Sequence, residues 1–177
     1  MNKSASPYRR SIWKPRPAYR VNYAVLTRDQ LRTITRLGWV DAAKKRAPPI
    51  AAESLLKIAR AARTLPSVQK AAPWHIEGYL RRGLKQLGAG IPTLICMLAV
   101  ERRGIYPPVD SKFALGLKAR GKISQEDFDC LVGKDVRKFA DVYVGKVIPA
   151  WRQSRQTRSP EKADLYWARS GRLAKNS

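Results

Sequence analysis

The stretch from Leu84 to Leu117, LKQLGAGIPTLICMLAVERRGIYPPVDSKFALGL, decides how the chain is read. It runs as the end of a helix, a glycine turn at Gly88 and Gly90, an apolar segment, a break at Pro107 and Pro108, and an aspartate opening a further helix. Glycine reaches backbone conformations closed to other residues, and a turn that opens onto a helix presents unpaired N–H groups to an anion. Leu94 to Val100 is apolar all round, which at this length predicts a helix buried on every side. Pro107 and Pro108 predict an extended approach to Asp110, which stands seventeen residues after Thr93.

Working back towards the N-terminus, Ile76, Tyr79, Leu80, Leu84 and Leu87 form the apolar stripe of a helix that opens at Pro73 and feeds the turn. Before it, Glu53 to Arg63 places Leu55, Leu56, Ile58, Ala59 and Ala62 at helical spacing, and Pro66 ends it. Lys44, Lys45, Arg46, Pro48 and Pro49 mark a basic loop, preceded by a short amphipathic helix from Thr27 to Gly38. Residues 1–24 carry Lys3, Arg9, Arg10, Lys14, Arg16 and Arg20 with no acid, interleaved with Tyr8, Trp13, Tyr19 and Tyr23. That composition fits either a basic arm that settles along phosphates with aromatics for stacking, or a tail without packed structure.

Towards the C-terminus, a helix is expected from Ser111 to about Arg120, stopped by Gly121. Ser124 caps a short turn through Phe128 and Leu131 that ends at Gly133. Val136, Phe139, Ala140, Tyr143, Val147, Ala150 and Trp151 then trace the longest helical pattern, which Pro149 should bend or split. Ser159 and Pro160 read as the cap and first residue of a last short helix through Leu165 and Trp167, and residues 169–177 as a basic tail. No strand alternation or internal repeat interrupts the pattern. The expected architecture is all-α, a compact helical bundle of residues 25–168 between two basic arms.

Lys and Arg number 36 against 13 Asp and Glu, a formal net charge of +23. Such an excess favours a polyanionic partner, because each phosphate contact releases counterions. No apolar run approaches the roughly 20 residues of a membrane span, so no membrane partner is expected. Two cysteines, Cys96 and Cys130, and one histidine, His75, exclude a four-cysteine zinc or iron–sulfur site and a His-rich metal centre, so no metal or cofactor is expected. The N-terminus lacks the continuous apolar core of a secretory signal, which places the expected location in the cytoplasm, on the nucleoid if the cell is bacterial.

A Gly-x-Gly turn between helices is common to any αα-hairpin, but the spacing to Asp110 adds a second feature. Leu87, Gly88, Gly90 and Thr93, a buried helix, and Val109-Asp110 at the same separation resemble the helix-hairpin-helix DNA glycosylases, the superfamily of endonuclease III and the adenine and 8-oxoguanine glycosylases. The likeness is strong over residues 76–120, and Leu165 to Arg169 looks like the closing helix of distant members. The resemblance implies that Leu87, Gly88, Ala89, Gly90, Ile91 and Thr93 grip the backbone of double-stranded DNA, with Lys112 as a further phosphate contact. It also implies that Asp110 is the catalytic carboxylate for release of a flipped base. Asp110 equally fits as the cap of the helix at Ser111.

Departures from the family pattern shape the expected chemistry. Leu87 replaces the usual proline, Leu94 a small residue, and Pro92 stands where strand-cleaving members carry a Schiff-base lysine. Proline offers no amine, so the implied reaction is monofunctional hydrolysis. Trp74, His75 and Glu77, ahead of the hairpin helix, are candidates to line a base pocket, with packing and a surface turn as the alternative. Glu53 is a conceivable second acid or a solvent-facing helix residue, and Lys118 a phosphate contact. Trp151 and Trp167 are expected in the core, and the protein is expected to be a monomer. The rival expectations are a non-catalytic DNA-binding module that keeps the hairpin, and an RNA- or ribosome-associated basic protein.

Overall fold

A computed structural model describes residues 52–88, 90–102 and 105–175. The expected N-terminal arm, the helix from Thr27 and the basic loop at residues 44–49 lie outside the described residues, as do Ala89 and the side chain of Glu53. The described chain is all-α, with no strand among those residues, and none of its helices is long and apolar enough to cross a membrane.

Helix α1, Ala52–Thr64, buries Ile58, Ala59 and Ala62 completely. Helix α2, Pro73–Leu87, starts on a proline whose missing N–H costs nothing in the first turn, and buries Ile76, Tyr79, Leu80 and Gly83. Helix α3, Ile91–Glu101, begins three residues ahead of the expected apolar segment. Its residues from Leu94 to Ala99 are all buried, so it runs through the centre of the core as its composition predicts. Pro92 falls in the first turn of this helix, where proline is tolerated for the same reason as Pro73.

Helix α4, Ser111–Ala119, is capped by Asp110, and Gly121 behind it adopts a left-handed φ of 63°. Helix α5, Gln125–Val132, is capped by Ser124, whose hydroxyl accepts the Asp127 N–H at 3.1 Å while Asp127 Oδ2 accepts the Ser124 N–H at 2.8 Å. Asp135 Oδ1 accepts from the N–H groups of Arg137 and Lys138 to start α6, Val136–Val142. The chain then takes a π turn, Tyr143–Val147, before α7, Ile148–Arg155. The break expected from Pro149 takes this form because proline can neither donate to the residue one turn back nor fit its ring against that carbonyl. Widening the turn relieves both problems without ending the rod.

Helix α8, Pro160–Lys175, corrects the sequence reading: it does not stop near Trp167, and most of the expected basic tail is helical. It packs more extensively on α4 than any other pair of described helices pack on each other. A Cβ placed on Gly116 would lie 1.9 Å from the Trp167 carbonyl oxygen, and one on Gly171 would lie 2.1 Å from that of Lys112. The two backbones therefore touch directly, and only glycine fits at the crossing. Phe113 sits between Trp151 and Trp167, with ring centroids 6.0 and 6.2 Å away, so both tryptophans are in the core as expected.

Candidate functional site

The turn between α2 and α3 is built from both sides. Gly88 closes α2 in the left-handed conformation, φ 60° and ψ 14°, with its N–H donating to the Leu84 carbonyl at 3.0 Å. The Gly90 carbonyl accepts the Leu94 N–H at 3.2 Å, so the N–H groups of Ile91 and Thr93 precede the first helical bond of α3. Ile91 is buried and anchors the turn, Leu87 and Thr93 are half-buried, and Gly90 is exposed. A Cβ at Gly88 would meet nothing within 4 Å, and one at Gly90 only the Pro92 ring at 3.7 Å, so both positions face open space.

Two contacts inside the hairpin hold α2 against α3. The Tyr79 hydroxyl donates to the Leu94 carbonyl at 2.8 Å in the buried interior. Burial, followed by electrostatic interaction with Glu101 and Cys96, raises the Tyr79 pKa well above that of free tyrosine, so the hydroxyl remains a donor. Gly83 lets the helices approach, since a Cβ there would lie 2.4 Å from Leu94 Cδ2. Gly83 was not distinguished in the sequence; a glycine inside an otherwise strong helical stripe is the signal that could have found it.

Asp110 lies at the head of α4 with extended backbone angles, φ −116° and ψ 176°, as a residue capping a helix N-terminus has. Its carboxylate is half-buried, and Oδ1 accepts the Phe113 N–H at 2.8 Å. The capping role expected of Asp110 is therefore real. The approach to it, Tyr106 to Val109, is buried throughout. Tyr143 donates from its hydroxyl to the Pro107 carbonyl at 2.8 Å, and Tyr106 donates to the Pro66 carbonyl at 2.8 Å. Consecutive prolines bring carbonyls but no N–H groups into the interior, so side-chain donors must satisfy them. Burial first, and then the neighbouring Tyr106, Cys96 and Tyr79, raise the Tyr143 pKa well above the ordinary tyrosine value. The sequence marked Tyr143 only as a core position; its clamp on Pro107 is new.

Of the other expected site residues, Lys112 stands two residues from Asp110. Lys112 is exposed in the first turn of α4. Lys118 bonds Gln125 and stands 5.7 Å from the centre of the Phe128 ring. Trp74 is 67% exposed and stacks on His75 with ring centroids 3.4 Å apart. His75 Nδ1 accepts the Ala72 N–H at 3.0 Å, and Glu77 Oε1 accepts from Arg81 Nε at 2.8 Å. All three belong to the first turns of α2, and Trp74 is about 20 Å along the helix axis from Leu87.

Two clefts are described. One, about 620 Å³, is bordered by Val68, Ile105, Pro149, Arg152 and Arg155; the other, about 380 Å³, lies between α1 and α2. Neither is lined by Asp110, Trp74, His75 or Glu77. Among the described residues, no three His, Cys, Asp or Glu side chains converge as a metal site.

Comparison with protein-family models, with curated proteins and with solved structures gives no significant match. Any assignment of function therefore rests on the residues themselves.

Proposed function

We propose that this protein binds double-stranded DNA and removes a modified or damaged base by hydrolysing its N-glycosidic bond. The observation that carries the reading is Asp110. Its carboxylate is fixed at a helix start, half-open to solvent, on a chain whose Gly88 and Gly90 are exposed and whose net charge is +23. Ile91 of the turn and Val109 beside the aspartate belong to one hydrophobic core, which makes a common rigid support for both.

In this reaction the base is first extruded from the stack. As the bond to the base breaks, positive charge grows on the sugar, and a fixed carboxylate stabilises it. Asp110 supplies that charge and orients the water, whose oxygen bonds to the anomeric carbon while its proton is released. The bonding electron pair leaves with the base, which takes up a proton. Pro92, without an amine, leaves no nucleophile at the position that would form a Schiff base, so the product is an abasic site in an intact strand.

Duplexes carrying a panel of modified bases, incubated with the protein and then heated in alkali, test the reading. Strand breaks are expected only after alkali and only with wild type; Asp110→Asn keeps the cap and loses base release. Equal release by wild type and Asp110→Asn removes Asp110 from the mechanism. A covalent adduct trapped by borohydride overturns the monofunctional assignment.

A second reading, a non-catalytic DNA-binding module, is favoured by a specific observation. The Asp110 carboxylate already serves the Phe113 N–H, and neither described cleft reaches it. Tight duplex binding without release of any base across the panel supports this reading over the enzyme.

A further inference from the structure

The smaller cleft, between α1 and α2, has a composition that the reaction above does not use. Lys57, Arg60, Ala61 and Thr64 recur at helical spacing on one face of α1, and Arg82 and Gln86 stand one turn apart on the facing side of α2. Ala61, the smallest of these lining residues, is half-buried. Lys57, Arg60 and Arg82 are exposed. Neither Arg60 nor Arg82 has a hydrogen bond or ion pair among the described residues. Elsewhere Arg63 and Arg81 are matched to Glu101 and Glu77 at 2.8 and 2.7 Å. Among the described residues, no carboxylate lines the cleft.

We propose that this cleft is a phosphodiester-binding site that continues the grip of the glycine turn along one DNA strand. Gln86 is two residues from Gly88, and Arg82 is about 9 Å from it along the helix axis. A strand carrying one charge per ~3.4 Å of duplex axis covers that distance in a few nucleotides. Guanidinium groups suit the occupant, because their planar fork engages two phosphate oxygens at once. An anion in the cleft also offsets the like charges of Arg60 and Arg82. The inference rests on the DNA-binding half of the proposed function and is independent of catalysis by Asp110.

The test is fluorescence anisotropy with a short labelled duplex, comparing wild type, the double variant Arg60→Gln/Arg82→Gln, and the control Lys162→Gln/Arg169→Gln. The control removes the same charge from exposed positions on α8, which packs on α4 and α7. All six measured states, three proteins at low and moderate salt, are accompanied by circular dichroism to verify equal helix content. The cleft variant is expected to bind about tenfold or more weakly than wild type, with the slope of log affinity against log salt reduced by roughly one to two. The control is expected to lose only a fewfold. Equal losses in both variants overturn the cleft as a site and leave generalised charge as the source of affinity. Wild type that fails to bind duplex at low salt overturns the DNA reading itself, and with it the cleft's assigned ligand. Binding to anionic phospholipid vesicles that needs Arg60 and Arg82, with duplex binding unaffected, assigns the cleft to a membrane surface instead.

Discussion

Gly171→Ala is the most demanding test of the helix packing, because one methyl group must break a backbone contact. The added Cβ would sit 2.1 Å from the Lys112 carbonyl oxygen and 2.8 Å from the Gly116 nitrogen. Ordinary contact distances exceed 3 Å, so α8 must retreat from α4 by about an ångström, and close packing turns that shift into lost contacts along the whole crossing. Overpacking of this kind costs about 3 kcal/mol, partly offset by the ~1 kcal/mol that alanine gains over glycine in a helix. The expected net loss is therefore about 2 kcal/mol, a fall in melting temperature of roughly 4–8 °C. The same substitution at Gly78 supplies the control: that position is also within a helix but has nothing within 4 Å of a new Cβ. Gly78→Ala is expected to stabilise by about 0.5–1 kcal/mol. Thermal and urea unfolding followed by circular dichroism measure both, and a Gly171→Ala protein as stable as Gly78→Ala refutes the direct contact of α4 with α8. The result bears on function as well, since Lys112 is two residues from Asp110.

Three further outcomes are expected. Asp110→Ala should destabilise by about 1 kcal/mol through loss of the helix cap while Asp110→Asn remains near wild type, so urea midpoints separate the capping role from any catalytic one. Tyr143→Phe leaves the buried Pro107 carbonyl without its donor and should cost about 1–3 kcal/mol; a variant with an unchanged midpoint would mean that the proline segment is held by packing alone. Asp127 is the group whose titration should show in stability. Burial pushes its pKa up, but the Lys146 ammonium at 2.5 Å and the Ser124 N–H and hydroxyl outweigh it, and the net value lies below the ordinary 3.8. The native state then binds fewer protons than the unfolded chain, so this contribution is complete above the ordinary Asp range and is lost as pH falls through the lowered native value. Lys146→Met should flatten the acid limb of stability against pH, and an identical limb in wild type and variant would remove this ion pair from the explanation.

Helix positions were legible in the sequence wherever their cause is local. Asp110, Ser124 and Ser159 cap helices through bonds to groups three residues away, and the apolar face of α2 and the all-round apolar character of α3 follow from spacing alone. The Pro149 disturbance was legible as a break, because the missing N–H is a property of the residue. Its resolution as a π turn depends on packing that holds the rod together on both sides. Helix α8 was read too short for a similar reason: the segment after Trp167 looks like a basic tail until Gly171 meets α4.

The sequence by itself determined an all-α chain, its strong positive charge, the glycine turn and the place of Asp110 at a helix start. Those properties depend on composition and on interactions within a turn or two of chain. Only the tertiary structure decided that Gly116 and Gly171 form a backbone crossing, that Tyr143 holds Pro107 across 36 residues, and that Arg60 and Arg82 line one cleft. Such juxtapositions join residues distant in sequence through shapes that close only when the helices pack, and no local pattern records them.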